Sequence, residues 1–129
     1  MARLVLAPEL SAVATARHWV SDEVTRCGAP CAAQVDEDVV QLLTSEVVGN
    51  AMRHGAGPVT IEVDCGEEHV CIAVTDASPA TPVVRHVGPE ATGGRGMALI
   101  EHLASRWGSR AARPPATGKT VWFQLTGTS

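Results

Sequence analysis

The sequence predicts an α+β fold, a two-layer α/β sandwich in which helices cover one face of a mixed, mostly antiparallel sheet. Two stretches in the first half repeat apolar residues at helical spacing. Two stretches in the middle alternate apolar and polar residues, as strands do. A further helical stretch and a further alternating stretch follow. The predicted order is β-α-α-β-β-loop-α-β in one domain, residues 1–129.

The first 53 residues predict one strand and two helices. Residues 3–7, RLVLA, suit a short strand. Ser11 is a candidate N-cap for a helix whose apolar stripe ends at Gly28. Asp36 is a candidate cap for the second helix, which we expect to run to about Arg53.

The remaining elements follow a hairpin. PVTIEVDC and HVCIAVTD are joined by GEE and predict two antiparallel strands. The segment after Asp76 predicts a long loop with the sequence ASPATPVVRHVGPEATGG. Loops of this length are often functional. GRGMALIEHLASRWG predicts a third helix that ends at Gly108, RAARPPATG another loop, and KTVWFQLTG a final strand.

Composition narrows the classes of partner. The formal net charge of -4 argues against non-specific binding to DNA phosphates, and an aromatic content of 3% leaves little on which bases could stack. No apolar run approaches the length of a membrane span, and the N-terminus lacks the pattern of a signal peptide. We therefore expect a cytoplasmic protein with no direct contact to nucleic acid or membrane.

The four cysteines raise the question of a disulfide or a metal site. Cys27, Cys31, Cys65 and Cys71 have the spacings C-x3-C and C-x5-C, with no histidine in ligand register. We expect reduced, structural thiols in preference to a zinc site, because free cysteine packs as a small apolar residue.

Two polar residues lie beside the apolar stripe of the second helix. On a helical wheel Glu46 falls within roughly 40° of Val39, and Asn50 falls one turn further along the same side. Both could be solvated at the helix end. Alternatively, Arg53 and His54 follow on that side of the helix. Such a row offers oxygen ligands to Mg²⁺ and a cation and a further hydrogen-bond donor to a nucleotide.

Two other stretches contain residues that could contact an anion or a nucleobase. Gly94 and Gly96, with Arg95 between them, stand at the start of the third helix, where free N–H groups attract anions, although this signal alone is weak. Asp76 could close a turn or accept a hydrogen bond from an exocyclic amine. TGKTV at residues 117–121 ends like a P-loop but lacks its first glycine and precedes a strand, so we set that reading aside.

Together these stretches resemble the GHKL ATPase superfamily, which has the Bergerat nucleotide-binding fold. Within it they resemble anti-sigma-factor serine/threonine kinases of the RsbW/SpoIIAB type. LLTSEVVGNAMRHG matches the N-box, VTDASPATP stands at the first glycine box, TGGRGMALI matches the second, and GKTVWFQL resembles the last motif. The resemblance covers nearly the whole chain in the right order.

The resemblance implies a site for ATP and Mg²⁺. Asn50 would coordinate Mg²⁺, Glu46 would act as general base, Asp76 would accept the adenine amine, and Thr120 would lie near the adenine edge. A lid would span about residues 77–95. The full set implied to contact the nucleotide is Asn50, Arg53, His54, Asp76, Gly94, Arg95, Gly96, Met97 and Thr120.

The resemblance also implies partners. The kinase would phosphorylate a serine or threonine of a STAS-domain anti-sigma-factor antagonist, would bind a sigma factor in turn, and would form a homodimer. The first glycine box departs from D-x-G-x-G, with Ser78 and Ala80 in place of glycines, which favours as the alternative a catalytically weak, nucleotide-gated binding module. The catalytic domain of a histidine kinase is a third reading, less favoured because the roughly 30 residues before the second helix are too few for a phosphoacceptor hairpin.

Overall fold

The computed structural model describes residues 2–27, 35–54, 57–77, 94–111 and 118–126, without the side chains of residues 54 and 94–98. Eight elements follow one another in these ranges. They are β1 Ala2–Leu6, α1 Ala12–Arg26, α2 Glu37–His54, β2 Val59–Cys65, β3 Val70–Asp76, α3 Gly94–Leu103, β4 Arg106–Ala111 and β5 Lys119–Leu125.

The five strands form one sheet in the order β1-β2-β3-β5-β4. All four pairings are antiparallel, so the predicted fold class is confirmed and the described sheet contains no parallel pair. β2 and β3 form the predicted hairpin, whose register pairs Thr60 with Thr75. β5 then lies beside β3, and Asp76 at the end of β3 faces Lys119 at the start of β5.

The helices cover one face of this sheet. α1 packs against β1 and β2, α2 against β2 and β3, and α3 against α2 and β4. Every second residue of β3 and β5 is therefore buried, and the intervening residues lie on the opposite, open face. The largest fully buried side chains lie between the two layers and include Leu43, Ile61, Ile72, Ile100 and Phe123.

The two expected helix caps have different outcomes. The Oδ1 atom of Asp36 accepts a hydrogen bond from the backbone N–H of Asp38 at 2.9 Å, which confirms the cap of α2. Ser11 does precede α1, but its side chain makes no capping hydrogen bond. A backbone turn serves this end instead, since the N–H of Ala12 donates to the carbonyl of Glu9 at 2.9 Å.

The predicted extent of the third helix is wrong. α3 ends at Leu103, and the residues read as its last turn and the next loop form β4, which pairs Trp107 with Phe123. Gly108 is a strand residue and not a helix stop, because its missing side chain makes room for Trp122. A Cβ built on Gly108 would lie 2.8 Å from Cζ2 of that ring.

The expectation of reduced thiols is also wrong for two cysteines. Cys27 and Cys65 form a disulfide with a Cα–Cα distance of 6.2 Å, which joins the end of α1 to the end of β2. The two residues are 38 positions apart, so local spacing carried no signal of the pairing. Cys71 is free, and burial, with a smaller contribution from Asp64, raises the pKa of its thiol.

No helix within the described ranges is both long and apolar enough to cross a membrane.

Candidate functional site

The ends of one helix and three strands lie together at one end of the sheet. Four residues separate the C-terminus of α2 from the start of β2. That start lies beside the end of β3, which in turn pairs with the start of β5. A Cβ built on Gly57 would lie 3.0 Å from the Cβ of Ala77, so the segment after α2 contacts the residue after Asp76. This topology places the C-terminal turns of α2 and Asp76 at the same end of the sheet, on its helix-covered face.

Glu46 and Asn50 flank the buried side of α2. Both side chains are half-buried, whereas Val47, Val48 and Ala51 between and beside them are buried. Neither Glu46 nor Asn50 forms a hydrogen bond or ion pair with any residue in the described ranges. An external ligand at this position would give both side chains the hydrogen-bond or metal partners that the described chain does not provide.

Arg53 adds a cation to the same side of α2. Its side chain is exposed and folds back along the helix, since a Cβ built on Gly49 would lie 3.3 Å from an Arg53 guanidinium nitrogen. The side chain of His54 lies outside the described residues. Arg53 is therefore placed where it can reach an anion bound near Asn50.

Asp76 is buried and has a charged neighbour that sequence reasoning missed. The Nζ atom of Lys119 lies 3.7 Å from Oδ2 of Asp76, and the two side chains are 8% and 2% exposed. The signal was available in the strand pattern, because residues 119, 121, 123 and 125 of KTVWFQL share one face with the core. Position 119 rather than 120 therefore faces the helices.

Thr120 does not lie where it was expected. It is on the open face of the sheet, where its Oγ1 atom lies at hydrogen-bond distance, 2.7 Å, from Oγ1 of Thr75. Because successive side chains of a strand point to opposite faces, the Thr120 hydroxyl cannot share a ligand with the carboxylate of Asp76. This placement corrects the assignment of Thr120 to the adenine edge.

Gly118 holds the start of β5 against the end of β3. Its φ is +131°, a value that side-chain-bearing residues rarely adopt, and a Cβ there would collide with the carbonyl oxygen of Asp76. The glycine is thus required for the close approach that sets Lys119 beside Asp76.

We expect Gly118→Ala to lower the free energy of unfolding by roughly 3 kcal/mol, because the substitution adds backbone strain to a backbone clash. Chemical denaturation measures this. Gly49→Ala is the matched control, since its added Cβ would meet only the movable end of Arg53 within a helix, where alanine is favoured. Equal stability of the two variants would contradict the role given to Gly118.

The glycines of the third helix are only partly described. α3 begins at Gly94 as expected, and it ends beside β4, whose first residue pairs with Gln124 at the far end of β5. This direction puts the N-terminus of α3, not its C-terminus, on the Asp76 side. The side chains of Arg95 and Met97 lie outside the described residues, as do residues 78–93 of the predicted lid.

The comparison with known families decides what this arrangement belongs to. A model described as the histidine kinase-like ATPase domain matches residues 6–125. The chain belongs to this family. The resemblance to GHKL ATPases is therefore confirmed at the level of the family. The matched residues include α2, which carries Glu46 and Asn50, and β3, which ends at Asp76.

Individual known proteins have a similar sequence or a similar fold. The chain is 30% identical over 93 residues to the signal transduction histidine-protein kinase AfsQ2 of Streptomyces coelicolor, matching 67% of this chain but only 17% of that protein. The mycobacterial sensor histidine kinase MprB superposes with a TM-score of 0.57 at 17% identity, covering 98% of each chain. Acinetobacter baumannii AdeS, a histidine kinase, gives 0.54 at 12% identity, covering 100% of this chain and 69% of that one. At these identities the two structures support the fold alone.

A cavity lies elsewhere in this ATPase domain. It has a volume of about 290 Å³ and lies between α1 and the start of α2, lined by Ser21, Thr25, Val35 and Glu37 among others. The hydroxyl of Ser21 donates to Oε1 of Glu37 at 2.7 Å and accepts from Nε2 of Gln41 at 3.3 Å. Glu46, Asn50 and Asp76 do not line this cavity, so it is separate from the site at the sheet end.

Proposed function

We propose that this domain binds Mg-ATP between α2 and the sheet and transfers the γ-phosphate to a serine or threonine of another protein. The observation that carries the proposal is the pair of half-buried side chains, Glu46 and Asn50, that have no partner in the described chain. They lie on the helix whose end meets Asp76, in a family of ATPase domains. A nucleotide and its metal ion at this position would give both side chains a partner.

The side chains of α2 have separate roles in the proposed phosphoryl transfer. Glu46, one helical turn before Asn50, accepts the proton of the attacking hydroxyl as general base. Arg53 and His54 contribute positive charge and a hydrogen-bond donor toward the phosphates, and the N-terminus of α3 with Gly94, Arg95, Gly96 and Met97 faces them from the other side. Positioning and charge stabilisation supply most of the catalysis in reactions of this class.

The donors on α2 fit a magnesium ion. Mg²⁺ prefers oxygen ligands and is usually held by one or two side chains together with substrate phosphates and water. Asn50 offers an amide oxygen, and the nearest acidic group on its side of the helix is Glu46. The ion would be held by Asn50 and would neutralise charge on the phosphates.

Asp76 is the residue proposed to bind the adenine ring of the nucleotide. Its buried carboxylate would accept a hydrogen bond from the adenine amine, with specificity set by burial of the pair. The altered first glycine box follows directly, at Ser78 and Ala80, and supports a second form of the proposal. In that form ATP orders the lid to select a binding partner, and transfer is slow.

The partners proposed are those of the anti-sigma-factor kinases. The acceptor is a STAS-domain antagonist, and a sigma factor and a second copy of the chain are the other partners. This part of the proposal depends on the order and sequence of the four motifs quoted above.

Phosphorylation of a histidine is the competing candidate. The observation in its favour is the 30% identity to a histidine-protein kinase, of which this chain spans 17%. The chemistry of the product separates the two, because phosphoserine and phosphothreonine survive acid whereas phosphohistidine is hydrolysed by it.

We expect Glu46→Gln to lower phosphate transfer about 100-fold while leaving ATP affinity within about threefold, because it removes the base and keeps the shape. Transfer from γ-³²P-ATP to a panel of STAS-domain proteins, followed by acid treatment, measures this. The control is Glu68→Gln, which changes an exposed carboxylate in the turn at the opposite end of the β2–β3 hairpin. Acid-labile product would favour the histidine reading. ATP binding without transfer to any protein would favour the gated module.

A further inference from the structure

We propose that Lys119 is a specificity-determining residue of the base pocket, donating a hydrogen bond to the adenine N1 while Asp76 accepts from the neighbouring amine. This inference rests on the proposed nucleotide site. It places a lysine at the adenine edge, near which the resemblance had placed Thr120.

The burial of Lys119 requires an explanation. A lysine is almost never fully buried without a partner, since removing an ammonium group from water is costly. Lys119 is 6% exposed, and its side chain is fixed opposite Asp76 by the register of β3 and β5. Its neighbour Gly118 makes the backbone approach that holds this register in place.

The ion pair does not use the hydrogen-bonding capacity of the ammonium group. The 3.7 Å between Nζ and Oδ2 of Asp76 is too long for a hydrogen bond. Within the described ranges Nζ of Lys119 donates no hydrogen bond to any other residue. An ammonium has three N–H donors, so a buried donor beside Asp76 remains available to a ligand.

The edge of adenine matches this pair. Its exocyclic amine is a donor and its adjacent N1 is an acceptor, so one carboxylate and one ammonium side by side satisfy both. Asp76 alone would read only the amine. Guanine also carries a neighbouring donor and acceptor, in the reverse order, and the assignment to adenine follows from the ATPase family of the chain.

The test compares ADP with 1-deaza-ADP, in which a C–H group replaces N1. We expect wild-type protein to bind the analogue about tenfold more weakly than ADP, as for loss of one hydrogen bond to a charged group. Lys119→Met should bind both ligands with equal affinity. Lys119→Gln keeps a hydrogen-bond donor beside Asp76, so it serves as the second variant if Lys119→Met does not fold. It should prefer ADP over the analogue by a smaller factor than the wild-type protein does.

The matched control is a substitution far from the proposed base pocket. Arg106→Gln removes an exposed cation at the far end of the sheet and should retain the tenfold preference. Equal binding of the two ligands by wild type would overturn the role of Lys119 while leaving the nucleotide site intact. A preference unchanged in both Lys119 variants would overturn it too, as would equally tight binding of GDP. Binding of no nucleotide at all would refute the proposed function itself.

Discussion

Asn50→Ala is expected to weaken the binding of Mg-ATP about 1,000-fold, since loss of a direct metal ligand exceeds the 10–100-fold typical of outer-shell groups. In the proposed site Asn50 would link the metal ion and the phosphates to the C-terminal half of α2. Titration calorimetry in magnesium measures the change. Repeating the titration with EDTA should weaken binding by wild type and remove most of the difference between the two proteins.

Two further proteins make this result specific. Asn50→Asp retains an oxygen ligand and should lose much less affinity than the alanine variant. Gln41→Ala removes an amide from the other side of α2, where it bonds Ser21, and should bind Mg-ATP as wild type does. An affinity of Asn50→Ala within threefold of wild type would contradict the placement of the metal and phosphates.

Removal of the Cys27–Cys65 disulfide is expected to lower the free energy of unfolding by about 4 kcal/mol, because the bond closes a loop between residues 38 positions apart. For a domain of this size the corresponding fall in Tm is roughly 15 °C. Thermal unfolding of the double variant Cys27→Ala/Cys65→Ala measures it, and reductant should lower the Tm of wild type to the same value.

The free cysteine provides the control for that measurement. Cys71→Ala should cost about 1 kcal/mol, as expected for a small, half-buried side chain, and should remain sensitive to reductant. A wild-type Tm that does not change with reductant would show that the bond between α1 and β2 does not contribute to stability.

Much of the fold could be predicted because its elements carry strong local patterns. The apolar stripe of α2, with Asp36 at its start, and the alternation in β2, β3 and β5 each depend on the burial of a single face. The polar pair Glu46 and Asn50 stood out for the same reason, since it interrupts a pattern that burial otherwise imposes.

Other features depend on contacts between distant segments. β4 was read as a helix end because Trp107 and Gly108 also suit that pattern, and only pairing with β5 and the ring of Trp122 selects a strand. The disulfide joins elements whose proximity is a property of the sheet. The motif resemblance implies a role for Thr120, whereas the alternation of β5 and its pairing with β3 place Lys119 opposite Asp76.

Amide chemical shifts in ¹⁵N-labelled protein show directly where the nucleotide binds. Addition of Mg²⁺ and a non-hydrolysable ATP analogue should shift the signals of Asn50, Asp76, Ala77, Gly118 and Lys119. The signals of Ser21, Thr25 and Val35, which line the cavity between α1 and α2, should not move. Shifts confined to that cavity, or no shifts at saturating nucleotide, would contradict a site between α2 and the end of the sheet.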